Sequence, residues 1–371
     1  MKFSAERTGL LSELQLVTRA ASTRSAIPAL GGVLLNAEDG ALRLAATDTE
    51  MALTSTTDAS VEEPGSLLLR ARLLVDVVRV TNGDTVTLDA TGDGSGVSIT
   101  SDRASFNVRT LPAQDFPRLP ALDPEQTATL DANVIAATVE RVAKAASRDE
   151  TRPVLTGILV SIEGQTLRMV ATDSYRLSVK ETPVEGLDDK FTANVPARAL
   201  QELSRIVSDT KAETVSMSTH ENQIVFGAGG VTLSSRLIDG QFPNYRQLLP
   251  ESYDHEVTLS RAEFAAVVRR VSLMAQRNAP LRLRFEQGSV TLSAQTPDVG
   301  EAAESLPVNY QGEELEIGFN PQFLQDGLES ISSDEVRLRL ISALRPGLLE
   351  EGSPEGPDSF LYLIMPIRLN V

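Results

Sequence analysis

Apolar residues recur at helical spacing at three places along the chain, each followed by segments of alternating character. Leu10, Leu11, Leu14 and Val17 fall on one helical face, and Val134, Ile135, Thr138, Val139 and Val142 do the same after Asp131. Phe264, Val267, Val268 and Val271 make a third face, with Ser260 as N-cap and Glu263 three residues on. A second helix is predicted further into each stretch: Arg72 to Val80, Ala197 to Val207, and Pro321 to Leu328. Runs such as Val86-Thr87-Leu88-Asp89, Val97-Ser98-Ile99-Thr100, Gln223-Ile224-Val225-Phe226 and Val231-Thr232-Leu233-Ser234 predict strands separated by glycine turns. Two helices among many antiparallel strands make an α+β unit with its helices on one sheet face.

The pattern repeats. Thr47-Asp48, ending Leu42-Arg43-Leu44-Ala45-Ala46, recurs as Thr172-Asp173, ending Leu167-Arg168-Met169-Val170-Ala171. A degraded third copy is Val290-Thr291-Leu292-Ser293-Ala294-Gln295. Pro28, Pro153 and Pro280 precede equivalent strands, and Phe116-Pro117 and Phe242-Pro243 close the first two copies. A repeat of this length buries its own core and counts as a domain, unlike a short solenoid unit. The expected domains are residues 1–120, 128–249 and 256–371, divided by a Pro-rich stretch from Pro117 to Glu125 and a polar one from Pro250 to Glu256.

Composition narrows the chemistry. Cysteine is absent, which removes disulfides, thiolate catalysis and Cys-ligated metals. The two histidines, His220 in a polar hairpin and His255 in a linker, have no metal-site spacing, so neither metal nor cofactor is expected. The start Met1-Lys2-Phe3-Ser4 lacks a signal-peptide stretch and no window is apolar enough to span a bilayer, which predicts a cytoplasmic protein. Gly92-Asp93-Gly94-Ser95-Gly96 and Ala228-Gly229-Gly230 join strands and read as turns; Asp48 and Asp173, repeated in equivalent places, read as strand-end turns rather than a catalytic pair.

The formal charge of −17, from 34 basic and 51 acidic residues, opposes nucleic-acid binding only if the charges are mixed evenly. They are not. Basic residues gather in and just after the predicted helices: Arg7 and Arg19; Arg72 and Arg79; Arg141, Lys144 and Arg148; Arg198 and Arg205; Arg261, Arg269, Arg270 and Arg277. The helix Pro321 to Leu328 breaks the trend, with Asp326 and Glu329 and no base. One electropositive surface built from equivalent helices is the expectation. Repeat and composition alone leave three classes open: a nucleic-acid scaffold, a tandem adhesion module, and an enzyme working through Asp, Glu or Lys.

Four runs resemble the bacterial DNA polymerase III β subunit, or sliding clamp, family. They are Met1-Lys2-Phe3 with Leu10-Leu11; Ala171-Thr172-Asp173-Ser174-Tyr175-Arg176-Leu177; Asp239-Gly240-Gln241-Phe242-Pro243-Asn244-Tyr245-Arg246; and Met365-Pro366-Ile367-Arg368-Leu369. The resemblance runs through the whole chain in order. It implies a non-catalytic processivity factor in DNA replication: a head-to-tail homodimeric ring of six domains, with helices lining the hole and sheets outside. Its implied partners are double-stranded DNA of any sequence, a second copy of itself, the DNA polymerase III alpha subunit, the clamp loader and other clamp-binding-motif proteins, with no membrane.

For DNA, the resemblance supports Arg24, Arg148, Arg152 and Arg198, while helix-face reasoning adds Arg72, Arg79, Arg141, Lys144 and Arg205. For the dimer it implies Phe106 and Val108 meeting Ser272 and Leu273, with Arg103 near Glu301 and Glu304. For partner peptides it implies a groove floored by Leu155, Thr172, Ser174, Tyr175, Arg176 and Leu177. Pro243, Gln247 and Leu248 would wall it, with Leu363, Ile364, Met365, Pro366, Ile367, Arg368 and Leu369 from a C-terminal strand. Departures fall on this groove: Ser174-Tyr175 stands where Gly-His is common, Gln247 replaces a base, and Pro153 replaces an aromatic residue. Asn370 and Val371 extend the end, and an acidic loop from Glu350 to Asp358 interrupts the last hairpin.

Overall fold

The computed structural model describes residues 1–371 except 91, 93, 123–126, 185–190, 276–278, 352–357 and 370–371. Arg277, Asp93, Glu125, Asn370, Val371 and most of the Glu350–Asp358 loop therefore lie outside the described residues.

The first repeat runs β1 (Lys2–Glu6), α1 (Arg7–Val17), β2 (Gly32–Glu38), β3 (Ala41–Thr47), β4 (Met51–Asp58) and β5 (Ser60–Glu63). It continues with β6 (Gly65–Arg70), α2 (Ala71–Val80), β7 (Thr85–Ala90), β8 (Gly96–Ser101) and β9 (Ala104–Arg109). The second has β10 (Ala128–Asp131), α3 (Ala132–Ala143), β11 (Gly157–Glu163), β12 (Thr166–Thr172) and β13 (Arg176–Pro183). It closes with β14 (Phe191–Pro196), α4 (Ala197–Thr210), β15 (Thr214–His220), β16 (Gln223–Ala228) and β17 (Val231–Arg236). The third holds β18 (His255–Ser260), α5 (Arg261–Val271), β19 (Leu281–Glu286), β20 (Ser289–Thr296) and β21 (Gly300–Pro307). It ends with β22 (Leu315–Phe319), α6 (Pro321–Ser330), β23 (Glu335–Leu340), β24 (Gly347–Glu351) and β25 (Ser359–Ile364).

Each opening helix is entered from a short strand that the apolar pattern did not announce. The caps explain the sharp entry: Glu6 accepts from the Thr8 and Gly9 amides, and Ser260 accepts from the Glu263 amide. The mid-repeat helices fall where periodicity placed them. In α2, Leu74, Val75, Val77 and Val78 are buried while Arg72, Asp76 and Arg79 face water. His220 lies at the β15–β16 hairpin as expected, but His255 is not in a linker; it opens β18, and its Nδ1 is 2.7 Å from the Tyr310 hydroxyl.

Two compact units emerge, one of Met1–Asn133 with Arg205–Leu237 and the other of Val134–Ser204 with Ile238–Val371. In the first, an eight-stranded sheet runs β10-β15-β16-β17-β4-β3-β2-β6 and a five-stranded sheet runs β5-β1-β7-β8-β9. In the second, an eight-stranded sheet runs β14-β11-β12-β13-β25-β24-β23-β18 and a four-stranded sheet runs β21-β20-β19-β22. Both eight-stranded sheets are continuous across a repeat junction, through β4–β17 and β13–β25. Strands from different repeats thus share one ladder, and α1 packs on α2 and α5 on α6 over buried Leu, Val and Phe side chains.

Candidate partner groove, basic surfaces and free edges

The turn after β12 is built by its own side chains. Thr172 Oγ1 donates to the Arg176 carbonyl at 2.7 Å and accepts from the Ser174 amide at 3.2 Å. Asp173 Oδ1 accepts the amides of Tyr175 and Arg176 at 2.9 and 3.0 Å. This closure holds Ser174 at φ 81° and turns Tyr175 outward, 61% exposed. Both repeated aspartates are turn-formers, as their equivalence implied.

Strand alternation then divides the expected lining. Thr172 lies opposite Leu177, and Leu177 opposite Leu363, so these share a face; Arg176 and Ile364, also opposite each other, point the other way. Leu177 and Leu363 sit in a buried cluster with Val170, Val179, Leu348 and Tyr245, covered by Phe242, Leu249 and Tyr253. Leu155, in the 3-10 turn Pro153–Thr156, is buried. Leu248 and Met365 are 47% and 39% exposed, and Pro243 and Gln247 are exposed beside them in sequence.

Past Ile364 the expected strand stops. The Met365 amide donates to the Tyr175 carbonyl at 2.8 Å, but Pro366 has no N–H to continue the ladder. The Ile367 amide instead donates to Gly318 on β22, with Pro366, Ile367 and Leu369 half-buried and Arg368 exposed.

Arg176 does not floor a groove. Its Nε is 3.0 Å from Asp173, its Nη1 is 2.5 Å from Asp326 and 3.1 Å from the Tyr362 hydroxyl, and its guanidinium lies 4.3 Å from the Phe323 ring centroid. Burial works against its charge, yet Tyr362, Asp326 and Asp173 outweigh burial and hold its pKa above the ordinary value. Burial pushes the Tyr362 hydroxyl up in turn. Sequence reasoning missed Asp326, Phe323 and Tyr362 as supports of this site; the signal was the unexplained acid on a helix where its counterparts carry bases.

The basic residues differ in their exposure. Arg24, Arg72, Arg148, Arg198 and Arg205 are exposed. Arg79 is exposed too, 2.9 Å from Asp76. Arg152 is tied to Asp149 at 2.8 Å and to the Ser174 hydroxyl at 3.0 Å. Arg141, expected on a DNA-facing surface, turns inward: it pairs with Glu351, donates to Ser332 at 2.7 Å and stacks over Phe360. Lys144 is bound to Glu329 at 2.9 Å. The two acidic residues of the third repeat's second helix thus answer Arg176 and Lys144 within the same unit.

The expected dimer residues lie on or near sheet edges. β9 ends the five-stranded sheet, with Phe106 and Val108 half-buried and Arg103 exposed in the preceding turn. β21 ends the four-stranded sheet and carries exposed Glu301 and half-buried Glu304, the latter paired with Arg270 at 2.6 Å. Ser272 and Leu273 form the 3-10 turn after α5, and Leu273 is 71% exposed. Among the described residues no helix is long and apolar enough to cross a membrane.

Three α+β repeats joined through shared sheets define a clamp architecture. The sequence matches family profiles for the DNA polymerase III beta subunit: the N-terminal domain over residues 1–120, the central domain over 129–244 and the C-terminal domain over 246–368. It is 35% identical to the beta sliding clamp of Streptomyces coelicolor over 379 residues, covering all of both chains. It is 31% identical over 379 residues to that of Staphylococcus aureus strain Mu50, covering 99% of each. The fold superposes on the DNA polymerase sliding clamp of Bacillus subtilis with TM-score 0.95 at 29% identity, covering 100% of both chains. A Pseudomonas aeruginosa sliding clamp bound to griselimycin gives TM-score 0.91 at 29% identity, again covering 100% of both. The chain belongs to the bacterial DNA polymerase III beta subunit family, the non-catalytic sliding clamps.

Proposed function

We propose that two copies close head to tail into a ring around duplex DNA and tether the replicative polymerase in the cytoplasm. The observation that carries this is the state of the sheet edges. Edge strands invite pairing unless they are charged, short or covered. β5 is short and carries Glu62 and Glu63, and β22 is bridged by Ile367. β9 is six residues long and β21 eight, and no strand of the described residues covers the outer edge of either. The charges they carry are opposite, so each edge repels its own kind and fits the other: Arg103 and Arg109 at β9 against Glu301 and Glu304 on β21. Joining β9 of one copy to β21 of the next continues the sheet and closes a heterologous contact after two copies. Phe106, Val108 and Leu273 supply the apolar part of that contact, with Ser272 beside Leu273.

Within the ring, Arg24, Arg72, Arg79, Arg148, Arg152, Arg198 and Arg205 meet phosphates without reading sequence, so the clamp slides. Arg141 and Lys144 are left out, because both charges are spent on carboxylates. The domains meant are residues 1–120, 128–249 and 256–371. Partner peptides, from the DNA polymerase III alpha subunit, the clamp loader and other proteins, bind at the surface above buried Leu177, Leu363 and Thr172. Tyr175, Leu155, Pro243, Gln247, Leu248, Met365, Pro366 and Ile367 rim that site, and Arg176 positions it from behind.

The test is retention after loading by a clamp loader with ATP. Complex that survives high salt on circular DNA and runs off linear DNA establishes topological linkage. Equal, salt-labile loss from both overturns the reading.

A further inference from the structure

The turn that frames the partner groove occurs twice, and the second copy frames a cavity of different chemistry. In the first unit, Thr47 Oγ1 donates to the Met51 carbonyl at 2.9 Å and accepts from the Thr49 amide at 3.0 Å. Asp48 Oδ1 accepts the amides of Glu50 and Met51 at 3.1 and 2.8 Å, and Thr49 sits at φ 78°. The Arg236 amide donates to the Glu50 carbonyl at 2.9 Å, as Met365 does to Tyr175 at 2.8 Å. Ala52 lies opposite both Thr47 and Ser234, just as Leu177 lies opposite Thr172 and Leu363. The backbone frame is the same; the side chains are not.

Replacing the Leu177–Leu363 pair by Ala52 and Ser234 removes apolar volume from the floor. What remains is a cavity of about 170 Å³, walled by Pro117 and Pro120. Its rim carries Arg118 and Arg236 against the single carboxylate of Glu50, all three exposed. Elsewhere in this acidic chain arginines are commonly matched, as Arg19 is to Asp209, Arg168 to Glu181 and Arg282 to Glu316. Among the described residues, the side chains of Arg118 and Arg236 make no such pair. Two open guanidiniums over a small hydroxyl-bearing floor favour a carboxylate, which they bind by charge-assisted hydrogen bonds.

The geometry points to a second peptide site in the first unit, selective for an extended segment with acidic side chains. It rests on the clamp reading, since it takes partner proteins as the source of the ligand. It extends that reading by giving each subunit two grooves of opposite preference: apolar segments at Leu177 and Leu363, acidic segments at Ala52 and Ser234.

The test uses the full-length protein and three blocked pentapeptides, acetyl-Gly-Glu-Ser-Glu-Gly-amide, its Gln-for-Glu counterpart and acetyl-Gly-Ile-Thr-Ile-Gly-amide, with affinities read by ligand-observed NMR. The acidic peptide is expected to bind at least tenfold more tightly than the Gln peptide. R118S/R236S should abolish that preference, S234L should block the cavity, and M365S should leave acidic-peptide binding unchanged. Equal binding of the Glu and Gln peptides, or indifference to both R118S/R236S and S234L, overturns the second site. The apolar peptide reports separately: if M365S does not weaken it, the groove reading fails while the acidic site stands or falls on its own arms.

Discussion

Asp326 on α6 accepts a hydrogen bond from Arg176 Nη1 at 2.5 Å, joining residues that belong to different sequence repeats. The same guanidinium holds Asp173, the residue that shapes the turn beside the groove. One cation therefore couples the third repeat's helix to the second repeat's turn. Its removal leaves two carboxylates and the Tyr362 hydroxyl facing each other with little solvent. Arg176→Ala should cost about 3 kcal/mol of unfolding free energy, in the range for a broken buried pair. Urea unfolding checks the loss. Pairing it with Asp326→Asn should recover part of the stability, because one orphaned charge is then removed.

Glu351 gives the pH dependence a sign. Burial works to raise its pKa, but hydrogen bonds from the Ser332 hydroxyl and amide, with Arg141 beside it, outweigh burial and hold it below the ordinary 4.5. A carboxylate with a lowered folded pKa adds stability above its unfolded pKa and loses it as pH falls through the folded one. Glu351→Gln should therefore cost about 2 kcal/mol at neutral pH. The difference from wild type should hold down to about pH 4.5 and shrink below it. Unfolding measured across that range checks the trend; a difference that grows on acidification would contradict it.

The contrast between exposed Arg72 and Arg148 and the half-buried pair of Arg141 with Glu351 makes a direct test of DNA contact. Each phosphate neutralised contributes about 0.9 to the slope of log K against log salt on duplex DNA. Arg72→Ala/Arg148→Ala should lower the slope by about 2. Arg141→Ala should leave it unchanged while lowering stability, since its charge is already answered by Glu351. Salt titrations of binding to a short duplex separate the two outcomes.

Much of this fold was legible because its repeats are long and its helices amphipathic. Phe264, Val267, Val268 and Val271 read as one helical face and are all buried. The short strands before each helix were not legible, because segments such as Ala128–Asp131 are too brief for alternation to register. Site residues were legible as a set but not by face. Arg176 and Leu177 are neighbours in sequence, and only the register with Ile364 and Leu363 reveals that they point to opposite sides. Arg141 shows the same limit: a base on a polar helix face says nothing about a glutamate that folding brings back from position 351.

Ser174 stores strain that can be released. Its φ of 81° is in the left-handed region, which costs a residue with a Cβ more than glycine. Ser174→Gly should thus relieve about 1 kcal/mol of strain. It also deletes the hydroxyl that Arg152 reaches at 3.0 Å. The net expectation is a small gain in melting temperature with looser Arg152. Ser174→Val should instead lower the melting temperature, since a β-branched side chain tolerates this conformation poorly. Calorimetry on the two variants gives the order.

The proposed ring contact predicts a charge-reversal rescue. Arg103 beside β9 is set against Glu301 and Glu304 on β21, and Glu304 already has Arg270 as a partner within its own chain. Glu301 is then the freer anion for a neighbouring copy. Arg103→Glu should weaken the dimer by about tenfold, because a like-charge juxtaposition replaces an attraction. Leu273→Asp should weaken it further, since a side chain 71% exposed in the single chain would lose its apolar cover. Adding Glu301→Arg to Arg103→Glu in the same chain restores opposite charges at both contacts of the ring. Analytical ultracentrifugation should show the double variant dimerising more tightly than Arg103→Glu alone. If Glu301→Arg only adds to the loss, β9 and β21 do not meet in the assembly.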